Sequence, residues 1–80
     1  MTSILEAAIL EMGRTVPGGY FCPEEVVKWI YPQAWEHFLD EVNEAMMHLY
    51  REGKIVVTQE GVEIPKDNVP SGSVKIKLVH

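Results

Sequence analysis

Apolar side chains recur along this chain first at helical and then at alternating spacing, and the switch falls near Gly53. In the opening stretch, Leu5, Ala8, Ile9 and Met12 lie three or four residues apart and define one face of a helix. Ser3 followed by Glu6 is a capping box for its start, and Gly13 is the expected left-handed residue that closes it. After the loop RTVPGG, Tyr20 and Phe21 are expected to form a very short strand. A second helix starts at Pro23, where a missing N–H costs nothing, and Val26, Val27 and Ile30 supply its apolar face. Pro32 disfavours helical geometry at Tyr31, so the helix ends by Ile30 and the chain turns.

The third helix is expected to be the longest, over residues 33–52, or about 30 Å at 1.5 Å per residue, and closed by Gly53. Trp35, Phe38, Leu39, Val42, Ala45, Met46 and Leu49 form its core stripe. Glu36, His37, Asp40, Glu41, Glu44, His48 and Glu52 collect on the opposite face, with Arg51 as the one fixed positive charge. Beyond Gly53, Ile55 and Val57 alternate with Val56 and Thr58 as in a strand. Glu60-Gly61 is a tight-turn pair, residues 62–64 return, and residues 65–73 form a long loop. Val74, Ile76 and Leu78 then alternate with Lys75, Lys77 and Val79 in a final strand. Three helices followed by a β-hairpin predict an α+β fold of the small winged-helix type, with the hairpin as wing and a short strand before the second helix. All 80 residues are expected to form one domain.

Four stretches carry a family resemblance: CPEEVV, Trp35 opening a long helix with Val42 and Leu49, EGKIVVTQEG, and SGSVKIKL. Over residues 22–78 the chain resembles the small winged-helix domain of unknown function 3253 family. The resemblance implies the fold and a free-standing small protein; the family has no established activity to carry over. In that family arginines tend to follow the helix-opening Trp and the mid-helix Val. This chain has Glu36 and Asn43 there, which speaks against a basic recognition helix.

Charge sharpens this reading. Twelve acidic and 7 basic side chains give a formal net charge of −5, so the field of the molecule repels polyanions. A DNA-binding regulator would have to dock through its wing, with Lys54, Lys75 and Lys77 as the contacts. The plainer reading of alternating lysines is protection of an edge strand from pairing with another chain. A single cysteine, no basic-flanked leader and no apolar run of about 20 residues lead to the expectation of a cytoplasmic, membrane-free protein.

Chemistry is sparse. His37, Glu41, Glu44 and His48 share one stripe, but the outer pair are about 16 Å apart, too far for one ion. Pairing of His37 with Glu41 and of His48 with Glu44 is expected instead. No catalytic residue, metal ligand or cofactor is identified, and no enzyme activity is expected. Cys22 stands at an N-cap position, with Pro23 first in the helix and Glu25 three residues on, so a sulfur capping box and a slowly reacting thiol are expected. Trp29 and Tyr31 at the edge of the second helix, and Met47 off the core stripe of the third, are the candidate anchors of a protein interface. The function expected is protein recognition or homodimerisation, with wing-led DNA binding as the alternative.

Overall fold

The computed structural model describes residues 3–16 and 18–79. Helix α1 runs Ile4–Thr15 and starts as the capping box requires, with Ser3 Oγ accepting from the Glu6 amide at 3.1 Å. It does not stop at Gly13. The glycine sits inside the helix, where a Cβ would lie 2.5 Å from Leu78 Cγ, so the missing side chain serves close helix-sheet contact and not helix closure. The helix ends instead at Val16, whose amide bonds the Met12 carbonyl at 3.0 Å.

Helix α2 spans Pro23–Ile30 and buries Pro23, Val26 and Val27. It ends where Pro32 dictates, with the Tyr31 amide on the Val27 carbonyl at 2.7 Å. The expected single helix over residues 33–52 is two pieces: a 3₁₀ turn over Trp35–Phe38, then helix α3 over Leu39–Arg51. A 3₁₀ turn has three residues per turn, which aligns Trp35 and Phe38 on one line facing α2. Phe38 stacks on Tyr31 with ring centroids 4.0 Å apart, and Lys28 Nζ lies 4.4 Å from the Trp35 ring centroid. Both aromatics are half-buried, so aromatic packing against α2 replaces the deep burial that the helical stripe predicts. At its other end α3 closes on Gly53 at φ 77°, with Lys54 N on Leu49 O and Gly53 N on Tyr50 O, both at 3.0 Å. These are the two bonds of a Schellman closure.

The strands β1 (Ile55–Gln59), β2 (Val62–Glu63) and β3 (Lys75–Leu78) form an antiparallel sheet in the order β2-β1-β3. Glu60 and Gly61, at φ 54° and 82°, make the tight turn between β1 and β2. Two successive positive φ values are what a two-residue hairpin loop demands. Gln59 Nε2 donates to the Ser71 carbonyl at 2.6 Å and ties the long loop to β1. Before α2, Phe21 forms a single antiparallel bridge with Ile76, so the short strand expected there is one residue deep.

Helices and sheet close on one core in which Ile9, Phe21, Val27, Met46, Val57 and Ile76 are at most 1% exposed. Tyr50 is the buried residue with a hydroxyl to satisfy, and it donates to the Ile64 carbonyl at 2.6 Å. The fold is thus a small α+β unit of three helices and a three-stranded sheet, and no described helix is long and apolar enough to cross a membrane.

Candidate functional site

The sheet lysines come first because the β1/β3 register brings them together. Lys77 pairs with Val56 and Lys75 with Thr58, while the Lys54 carbonyl accepts from the Val79 amide just beyond the Ile55–Leu78 pair, at the end of the ladder opposite Lys75. Lys75 and Lys77 flank the buried Ile76 and so leave the sheet on the side away from the core. Each ammonium has a local neighbour. Lys54 Nζ is 3.5 Å from Glu52 Oε1, Lys75 Nζ donates to Cys22 Sγ at 3.5 Å, and Lys77 Nζ lies 5.1 Å from the Tyr20 ring centroid. Of the three, Lys54 has a carboxylate beside it, whereas Lys75 and Lys77 meet uncharged groups and keep their charge.

Cys22 occupies the N-cap of α2 and Pro23 its first position, as the spacing predicts. The sulfur makes no capping hydrogen bond. The Glu25 amide bonds the Cys22 carbonyl at 3.1 Å, and the thiol turns instead toward the Lys75 ammonium. Sulfur is a weak acceptor, so the cationic donor of β3 outcompetes a backbone amide for it. Beside it lies a groove of about 360 Å³ bounded by Cys22, Glu25, Lys28, Val42, Asn43 and Val74, which nothing in the sequence pattern signals because it joins α2, α3 and the loop before β3.

The aromatic rim divides. Trp29 is 52% exposed on α2, and Tyr31 is half-buried through its stack on Phe38. Met47, expected at the surface, is fully buried. Helix α3 packs against α1, α2 and β1. Its buried positions, from Ala45 through Val42, Met46 and Tyr50 to Met47, sweep an arc of about 200°, wider than a helix that packs on one side. Met47 is a core residue and not an interface anchor.

The outer face of α3 and the preceding turn is as acidic as the sequence predicts, with Glu36, His37, Asp40, Glu41, Glu44, His48 and Glu52 all exposed. The histidine pairing differs. His48 Nδ1 lies 2.8 Å from Glu6 Oε1 across the α1/α3 contact and His48 Nε2 3.7 Å from Glu52 Oε2, so His48 is not paired with Glu44. Glu6 is 42 residues from His48, and only the packing of α1 on α3 could have revealed their meeting. Partial burial pushes the Glu6 carboxyl up, but the hydrogen bond and charge of His48, together with bonds from Ser3, outweigh it and hold it below its ordinary value. Ligand atoms of Glu6, His48 and Glu52 all lie within 4.8 Å of one another. The two carboxylates face opposite nitrogens of one ring, however, which orients the imidazole and does not aim three ligands at one point.

No curated protein matches this chain. The family model described as "Protein of unknown function (DUF3253)" matches residues 2–79, a span wider than residues 22–78 on which the resemblance rests, and the chain belongs to that family.

Proposed function

We propose that this chain is a winged-helix module that works by protein recognition and carries no enzyme activity. In that reading the strands after α3, β1 to β3, are the wing and α3 is the helix that DNA-binding relatives of the architecture place in the major groove. Here α3 presents Asp40, Glu41 and Glu44 to solvent, and phosphates would meet like charge. Of the lysines that a wing-led docking needs, Lys54 has Glu52 beside it, and Lys75 and Lys77 are left as two charges against that acidic face. What carries the reading is Trp29, a large aromatic half in solvent on a short helix whose other apolar side chains face inward. An exposed indole beside charged neighbours is the commonest kind of interface anchor. Self-association through Trp29 is the simplest form of such recognition. Catalysis has no comparable support: the hydrogen-bonding neighbour of the Cys22 thiol is an ammonium and not a general base.

Sedimentation equilibrium and duplex-DNA anisotropy together test this. The expected result is reversible dimerisation of the wild type, lost in Trp29→Ala, with no DNA binding at low salt. A strict monomer at millimolar concentration that binds duplex DNA, and stops doing so in Lys75→Glu, Lys77→Glu, would overturn the proposal in favour of a wing-led regulator.

A further inference from the structure

A second groove, of about 330 Å³, opens between the first turn of α1 and the middle of α3. Ile4, Tyr31 and Ala45 give it apolar lining, and Glu41 and Glu44 stand on its α3 side. Ile4 is 61% exposed, an unusual place for a branched aliphatic residue at a helix start, and the half-buried Tyr31, stacked on Phe38, also lines the groove.

The carboxylates here are unanswered. Among the described residues, Glu41 and Glu44 take part in no ion pair and no side-chain hydrogen bond, whereas the neighbouring Glu6 is held by His48 and Ser3. Arg51, the fixed cation of α3, is turned away to the Lys66 carbonyl at 2.7 Å. Glu41 and Glu44 are three residues apart, so like charges repel along one helical turn. A cation arriving from outside relieves that repulsion, and the apolar lining suits a side chain with a long aliphatic stem.

We propose that this groove receives an arginine side chain from a basic segment of a partner protein. The stem lies over Ile4 and Ala45, the guanidinium plane meets Tyr31, and its N–H groups donate to Glu41 and Glu44. Arginine fits better than lysine because a planar fork bonds two carboxylates while stacking on an aromatic ring. A second copy of this chain is a poor occupant, since each copy carries −5 and offers the same acidic face. The inference goes beyond the Trp29 surface and stands or falls separately from it.

The test is a methyl and aromatic NMR titration of the full chain with acetyl-Ala-Arg-Ala-amide, using the citrulline peptide as an uncharged isostere. Saturable shifts are expected at the Ile4 and Ala45 methyls and the Tyr31 ring with the arginine peptide alone. Glu41→Gln with Glu44→Gln is expected to weaken binding about five- to tenfold, whereas Glu36→Gln with Asp40→Asn, the same charge change on the same face, leaves it nearly unchanged. All four positions are exposed, so both double variants should keep the wild-type spectrum elsewhere. Equal weakening by the two double variants, equal shifts with citrulline, or no saturation would each overturn the groove as a site. Repeating the titration on Trp29→Ala separates the two surfaces: unchanged arginine binding in a variant that no longer dimerises leaves both proposals standing.

Discussion

Alanine at Gly13 tests the closest contact between α1 and the sheet. The added Cβ would sit 2.5 Å from Leu78 Cγ and 3.0 and 3.1 Å from its two methyls, against 3.4–4 Å for ordinary contact. Leu78 must therefore move by roughly 1 Å or adopt another rotamer, and overpacking of this size costs about 1–3 kcal/mol. Against this, glycine inside a helix is worse than alanine by about 0.5–1 kcal/mol, so the two effects oppose each other. Leu78 is half-buried and has some room to yield, which places the clash in the lower part of its range. With a clash of about 1.5 kcal/mol, Gly13→Ala should then destabilise the protein by about 0.5–1 kcal/mol, a fall in Tm of about 2–8 °C for a domain of this size. The discriminating measurement is a double-mutant cycle by urea denaturation. In a Leu78→Ala background the clash is gone and only the helix preference remains, so Gly13→Ala should stabilise by about 0.5–1 kcal/mol. The coupling is about 1.5 kcal/mol with a change of sign. Additivity of the two substitutions within about 0.5 kcal/mol would refute the idea that Gly13 exists to admit Leu78.

Met47→Ala should cost about 2–5 kcal/mol by chemical denaturation, because it empties a fully buried site, whereas Trp29→Ala should cost under about 1 kcal/mol; comparable losses would contradict the burial assignment. Cys22→Ala should be nearly neutral, since no capping bond is lost, and Cys22→Ser should gain up to about 1 kcal/mol by offering the Glu25 amide a proper oxygen acceptor; a loss above about 1 kcal/mol in Cys22→Ala would refute a minor role for the Lys75 contact. Because the folded-state Glu6 carboxyl lies below its ordinary value, its stabilising contribution is present above about pH 4.3 and lost as pH falls through the folded value, so the acid limb of a stability-pH curve should be shallower in Glu6→Gln. An unchanged acid limb would remove the Glu6–His48 link as a contributor.

The features legible in the sequence are those set by local chemistry. Ser3, Pro23 and Pro32 mark helix ends because their effects act within a turn, and Gly53 and Glu60-Gly61 mark reversals because the backbone there needs positive φ. Gly13 misleads for the same reason: a glycine after an amphipathic run reads as a helix end, and only Leu78, 65 positions away, explains why the helix continues through it. The break between residues 33 and 39 escapes a periodicity argument because Trp35 and Phe38, three apart, fit a 3₁₀ turn as well as an α-helix. Met47 escapes because the width of a buried stripe depends on how many neighbours a helix has, a property of topology and not of spacing.

The same distinction governs the surface. That α3 is acidic follows from composition, but which of its charges are free follows from packing. Glu6 reaches His48 only because α1 lies across α3, and Arg51 is turned toward the loop after β2, so the two groups best placed to neutralise the helix are spent elsewhere. Lys54, Lys75 and Lys77, which the sequence offers as a basic patch, are in turn held by Glu52, Cys22 and Tyr20. None of these contacts brings a cation to Glu41 and Glu44, which are left open beside exposed Ile4. If the groove receives an arginine as proposed, charge reversal at Glu41 and Glu44 should abolish the shifts caused by the arginine peptide while leaving the core resonances untouched.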